Sequence, residues 1–442
     1  MSDTEASQSE SSDIQENTSP VRSPEPDAGH RGGWVSLLTM WTRGVTRMAI
    51  LKGLGMMLPT LQDQFGTTTW VIGWMTSLMV GMGGLVAPLA GFLGRRFGSG
   101  NVIMVCGTMI GIAFIAASFA SRATQLSFIL ILLAGSSLRV PVVLAKEAIG
   151  RCYNKSLAKA TGIARTGTSI GLVVAAPLIQ ISLDKYGWRG TMLLIGGISM
   201  HLIPCGALMR KIRTTPSNSY RELPQNEPVS EDISSPSTCA SFWMTVPQNF
   251  DLSLLRSFQY WSIAIVYVCF SFAYDMWLIY FVSQAQSKGF SLEDAAVFVT
   301  VAGVGNLLAK LLQGFIIDAG ILPCWSLMVM CSIVTSFAFF VTPWLAGYWT
   351  MMLTASLVVI CDGLLSCLHD ILTKQVLGVE LLADAYGWME IKATVMRFTL
   401  GFIPGWIYDT SGSYNAAFVF LGCVQVAPVI PLVALKYFRC VK

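Results

Sequence analysis

The chain has 442 residues, of which 53% are hydrophobic and 12% charged, and its mean hydropathy is +0.60. Soluble domains carry about 25% charged residues, so this composition excludes an ordinary water-soluble enzyme and describes a chain solvated mostly by lipid. The formal charge of +4 is small, its placement matters more than its size, and no nucleic-acid partner is expected.

Residues 1–32 are rich in Ser, Asp, Glu and Pro. Such a segment buries too little apolar surface to fold, and it predicts a disordered cytosolic tail without a cleavable signal peptide. Apolar spans follow at 34–61, 70–94, 101–121, 125–149, 158–182 and 188–209, within an N-terminal half at 33–209. The first is the least clean, because Arg43 and Arg47 interrupt it. A polar, Pro/Ser-rich stretch at 210–252 predicts a cytosolic central loop. Spans at 256–284, 295–317, 322–345, 347–373, 385–408 and 413–436 make a C-terminal half at 253–438, leaving a short cytosolic tail at 439–442. Segments of about 20 apolar residues cross a bilayer. Two sets of six around a long loop predict an all-α membrane protein of twelve transmembrane helices in two six-helix halves.

Loop Lys and Arg set the orientation. With the N-terminus inside, the inner loops receive Arg95, Arg96, Arg151, Lys155, Lys159, Arg210, Lys211, Arg213, Arg221 and Lys374, and the tail receives Lys436, Arg439 and Lys442. The outer loops receive only Arg122, Lys185, Arg189 and Lys288. Both termini and the central loop are therefore expected in the cytosol, and the default location is the plasma membrane.

The eleven cysteines are scattered singly and read as small packing residues; no metal site or cofactor is expected. No P-loop or catalytic triad is present, so neither direct ATP drive nor an enzyme activity is predicted. Asn154-Lys155-Ser156 matches a glycosylation acceptor but falls in a loop expected to be cytosolic. Gly167 with Gly171, and Gly401 with Gly405, form GxxxG pairs that suit close helix packing.

Charged side chains inside the spans are the main functional signal: Lys52, Arg139, Glu147, Arg165, Asp275, Lys310, Asp362, Glu390 and Arg397. A charge at bilayer depth costs roughly 2.5–3.5 kcal/mol unless it faces protein or water. So many imply a polar cavity within the bundle, and hence a transporter. In the eighth span Gly303, Asn306, Lys310 and Gln313 fall on one helical stripe. Arg165 has Thr161, Gly162, Thr168 and Ser169 as helical neighbours and is expected to face the cavity, where it either binds a carboxylate or pairs with an acid. Glu147 reaches Arg151 at i+4, a structural pair. Asp362, Ser366, His369 and Thr373 share one face, and Glu390, Thr394 and Arg397 another. Asp275, Asp362 and Glu390 are read either as coupling sites or as neutralising partners of Lys310, Arg165 or Arg397, because two ions removed from water must compensate one another.

The segment from Ile149 to Gln180, with Tyr153, Lys155, Ala160, Gly162, Ala164, Gly167 and Gly171, resembles the fifth-helix signature of the monocarboxylate transporter family within the major facilitator superfamily. Tyr186-Gly187-Trp188-Arg189-Gly190 is similar to the same family, as is Arg31-Gly32-Gly33-Trp34, with Arg31 where an acid is usual. Gly91 to Gly98 and Gly314 to Asp318 resemble the superfamily's inner-loop motifs, the first without its usual Asp. The resemblance implies that Lys52, thirteen residues before Phe65, is the first-helix lysine that captures carboxylate and hands on a proton. It also implies an eighth-helix Asp followed four residues later by an Arg; here those positions hold Asn306 and Lys310. Positive charge is kept, the titrating acid is not, and Lys does not replace the Arg fork conservatively.

The expected function is transport of monocarboxylates or related small organic anions by alternating access, with Lys52, Asn306, Lys310 and Arg165 as the substrate group. Protons are a coupling partner by resemblance, against which Asn306 stands. A carrier of a zwitterion such as creatine, carnitine or an aromatic amino acid, and a non-transporting carboxylate sensor, are the alternatives. The resemblance also brings in a single-span glycoprotein chaperone, a partner of some members.

Overall fold

A computed structural model describes residues 26–66, 69–153, 156–211 and 252–438. Most of the expected N-terminal tail and central loop, residues 439–442, and the Asn154-Lys155 pair lie outside these residues. The N-terminal half holds α1 (Pro26–Phe65), α2 (Thr69–Val86), α3 (Leu89–Phe97), α4 (Ser99–Ser118), α5 (Ala123–Ile129), α6 (Ser136–Leu138), α7 (Val140–Cys152), α8 (Leu157–Met200) and α9 (Leu202–Lys211). The C-terminal half holds α10 (Phe258–Ser287), α11 (Leu292–Asp318), α12 (Cys324–Val341), α13 (Tyr348–Leu377), α14 (Leu382–Leu400), α15 (Ile403–Ser411), α16 (Asn415–Val426) and α17 (Val429–Tyr437).

The first helix begins at Pro26, so residues 26–32 extend it instead of belonging to the tail. Several spans are broken where the sequence removes a helix hydrogen bond. The second bends by 58° between α2 and α3, just before which Pro88 interrupts the ladder. The eleventh breaks between α14 and α15 ahead of Pro404, and the twelfth ahead of Pro428. Spans five and six run on as α8, broken only at Gly187 (φ 65°), a left-handed conformation that a side chain would oppose. Ser291 and Asp294 cap the start of α11 reciprocally.

Among the described residues eight helical segments are long and apolar enough to cross a membrane, and the bent α2–α3 pair makes a ninth. The other three expected spans are α1, the first part of α8, and α14. Each carries ionic residues in its length: Arg43, Arg47 and Lys52; Lys159 and Arg165; Asp384, Glu390, Lys392 and Arg397. The helices least suited to lipid are those that supply the interior.

Gly167 and Gly171 face α1, where a Cβ on Gly171 would lie 2.9 Å from Met48 and one on Gly167 would strike the Trp41 backbone. The predicted close approach at this pair is present. Gly401 and Gly405 do not repeat it. Helix α14 ends at Leu400, so Gly401 lies in the break and Gly405 faces the Tyr280 side chain.

The two halves meet through α8 against α11 and α13, and through α2, α3 and α7 against α14. At one end a single apolar core crosses the seam, joining Leu37, Leu144 and Ala160 to Leu368, Leu382 and Ala393. At the other end each half keeps its own core, with Ile50, Leu54, Met57 and Trp188 in one and Phe272, Met276, Trp277 and Phe281 in the other. The molecule is a pair of bundles closed at one end around a polar interior.

Candidate functional site

Between the halves lies a cavity of about 100 Å³, room for several waters or for a short-chain acid in their place. Helix α1 supplies Arg43 and Arg47, α8 supplies Arg165, Thr168 and Ser169, and α10 supplies Tyr267, Ser271, Tyr274 and Asp275. Asn306 and Lys310 enter from α11, Asp362 and Ser366 from α13, and Glu390 and Arg397 from α14. Arg139 and Lys146 complete the ring of charge. A π-type segment at Leu130–Gly135 widens the fourth span just before Arg139, whose side chain is buried at the seam.

Five of the cations stand in ion pairs with carboxylates. Arg165 donates through Nε and Nη2 to Asp370 Oδ2 at 2.9 and 2.6 Å, and Lys146 Nζ lies 3.2 Å from Asp370 Oδ1. The Lys146 ammonium also sits 4.2 Å from the centre of the Tyr386 ring. Arg139 donates to Glu390 Oε1 at 3.1 Å, and the Tyr267 hydroxyl donates to the same oxygen at 2.6 Å. Arg397 donates from Nε to Asp275 Oδ2 at 2.6 Å and from Nη2 to the Ser271 hydroxyl. Arg47 stands 3.8 Å from the other oxygen of Asp275.

Lys310 has no carboxylate partner among the described residues. Its Nζ donates to Ser169 Oγ at 3.0 Å and to the Arg165 carbonyl at 3.4 Å. Ser169 in turn donates to Asn306 Oδ1 at 2.7 Å, and Asn306 Nδ2 donates to the Val359 carbonyl. Arg43 is 7% exposed and makes no hydrogen bond or ion pair with any described residue, although Arg139, Glu390 and Tyr267 lie within electrostatic range. Asp362 is likewise half-buried at the wall without a hydrogen bond or ion pair among the described residues.

The structure brings Arg165, Asn306 and Lys310 together, as the helical stripes predict. Lys52 does not join them. It lies on α1 between Ile50 and Leu54, where the halves keep separate cores, and it is not part of the cavity wall. Asp275 pairs with Arg397 and Arg47 and not with Lys310, and Asp362 neutralises none of the cations directly. The neutralising acid for Arg165 is Asp370, a residue outside the expected partners Asp275, Asp362 and Glu390. A signal was available: Asp362, Ser366 and Asp370 follow one another at i+4 on α13. Tyr267 carried no such mark, since an aromatic residue in a span is more often packing. His369 is fully buried with Nε2 3.3 Å from the Ile263 carbonyl, and is a packed residue, not a wall residue. The Glu147–Arg151 pair is present at 3.0 Å.

The description "Major Facilitator Superfamily" matches residues 35–399. The mouse protein named monocarboxylate transporter 12 is 26% identical over 438 residues, covering 94% of this chain and 87% of its own. The rat protein named monocarboxylate transporter 13 is 23% identical, covering 94% and 91%. Among solved structures, the human organic anion transporter MFSD10 (TETRAN) superposes with a TM-score of 0.67 at 14% identity, over 91% of this chain and 99% of that one. The proton:xylose symporter XylE superposes with a TM-score of 0.68 at 12% identity, over 93% and 96%. At such identities these two likenesses are of fold alone.

Proposed function

The chain belongs to the Major Facilitator Superfamily and is a membrane transporter, not an enzyme, and on that premise we propose that it carries small organic anions of the monocarboxylate class. One observation supports this most: the cavity wall holds Lys310 and Arg43 without an ion-pair partner among the described residues, while neighbouring cations are paired with carboxylates. A positive charge removed from water and left uncompensated attracts an anion strongly. On this reading the Lys310 ammonium takes the carboxylate, and Asn306 holds Ser169, which orients Lys310. Relatives named monocarboxylate transporters at similar length accord with that substrate class.

The closed end accords with transport by alternating access. Arg95, Arg151, Lys159 and Lys374 lie at that end, which by the distribution of basic loops is the cytosolic one. The structure then corresponds to the state closed toward the cytosol. The plasma membrane is the proposed location. With Asn306 where the resemblance implies an Asp, transport is proposed to be weakly coupled to protons. The test is uptake into liposomes holding the purified protein, with lactate, pyruvate and longer monocarboxylates, with and without a pH gradient; binding without flux would point to a sensor.

Asp362 favours a second reading. A carboxylate without a partner, facing the same cavity as Lys310, suits the ammonium of a zwitterion. Creatine, carnitine and aromatic amino acids in the same uptake panel test it.

A further inference from the structure

Among the described residues, seven cationic side chains line the cavity: Arg43, Arg47, Arg139, Lys146, Arg165, Lys310 and Arg397. Three carboxylates line it with them, Asp275, Asp362 and Glu390, and Asp370 stands behind Arg165 and Lys146. The wall therefore keeps an excess of three positive charges. A zwitterion leaves that excess unchanged and a monoanion leaves two, in a site where water cannot screen them well. A dianion leaves one. The cations without an ion-pair partner among the described residues lie on both halves, Arg43 on α1 and Lys310 on α11, with Arg47 within electrostatic range of each, Glu390 within range of Arg43 and Asp362 within range of Lys310. Arg43 is the stronger sign. It is more than nine-tenths buried, it faces the cavity, and it has no partner among the described residues.

We propose that this cavity prefers a small dicarboxylate, one carboxylate at Lys310 and the other at Arg43 and Arg47, so that the substrate bridges the two halves. The inference rests on the anion-carrier reading and departs from its monocarboxylate class by giving the substrate a second carboxylate. Arg43 acts here as a substrate ligand, and its two-pronged guanidinium suits a carboxylate better than an ammonium would. Ser169 and Thr168 line the same cavity without adding charge.

The test uses the purified full-length protein in detergent at pH 7.5 and fixed ionic strength, titrated with succinate and with butyrate, acids of equal chain length that differ by one carboxylate. Affinity is read from the concentration dependence of thermal stabilisation. Succinate is expected to half-saturate at a concentration at least about tenfold below butyrate. Arg43→Gln is expected to bring that ratio close to one, and Arg43→Lys to restore part of it. If Arg43→Gln does not fold, Arg47→Gln takes its place and is likewise expected to lower the ratio. Butyrate binding as tightly as succinate, or a ratio unmoved by these variants, overturns the dicarboxylate assignment alone. Stabilisation by creatine or a zwitterionic amino acid, with neither acid effective, overturns the anion reading and this inference together.

Discussion

Replacing Asp370 by Asn removes one charge and leaves its shape. The carboxylate sits on α13 in the C-terminal half, and both cations it holds, Arg165 and Lys146, come from the N-terminal half. At about 4 Å and an effective dielectric near 20, each unit pair is worth about 4 kcal/mol before desolvation. All three groups are largely buried, with side-chain exposures of 9%, 15% and 6%. Removing one partner of such a pair costs about 3–5 kcal/mol, because the remaining charge is stranded. Here two are stranded, so the upper part of that range is expected. The loss falls on the contact between halves, not on the core of either. Asp370→Asn should therefore open the closed end, shifting its equilibrium by about a hundredfold or more. The assay is labelling of Thr161→Cys, a buried position beside this cluster, by a charged maleimide. The background has Cys152, Cys239, Cys423 and Cys440 replaced by serine. Labelling should accelerate at least tenfold in Asp370→Asn, and a double-mutant cycle with Arg165→Gln should give a coupling of about 2 kcal/mol or more. Replacing all three residues by methionine should be far milder than the single change. Labelling at the parental rate, with coupling near zero, would refute the claim that the Asp370 cluster holds the closed end shut.

Lys310→Gln should weaken carboxylate uptake by about ten- to a hundredfold, as loss of a charge-assisted hydrogen bond of 1.5–3 kcal/mol requires; unchanged uptake at equal surface abundance would remove Lys310 from the site. Uptake by the parent protein should respond little to an imposed pH gradient, since Asn306 cannot titrate, and a steep rise on external acidification would show that another group carries a proton. Gly167→Leu should lower the melting temperature through overpacking of about 1–3 kcal/mol, because the added side chain meets the Trp41 backbone on α1; a neutral result would mean that α1 and α8 separate easily.

Helical periodicity located the wall residues well. The i, i+3, i+7 stripe of α11 placed Asn306 and Lys310 side by side, and the small neighbours of Arg165 marked its inward face. The site role of Lys52 was implied by the resemblance alone, and a helix as long as α1 passes from the shared core into a region where the halves part, which is where Lys52 lies. Arg43 and Arg47 looked like interruptions of an apolar span, yet their i, i+4 spacing is that of one face, and both line the cavity.

Composition and local pattern by themselves determined that this chain lives in lipid, that it has two sets of spans, and which charges must hide from the bilayer. These depend on residue type and spacing within one helix. Which charge neutralises which was decided only by tertiary structure. Arg139 and Glu390 are 251 residues apart, Arg165 and Asp370 205, and Arg397 and Asp275 122. Electrostatic compensation follows distance in space, and a helix face does not say which helix it will meet. That Lys310, a candidate from the sequence, and Arg43, which was not one, are left without a carboxylate partner among the described residues once those pairs are made is therefore visible only in the folded bundle.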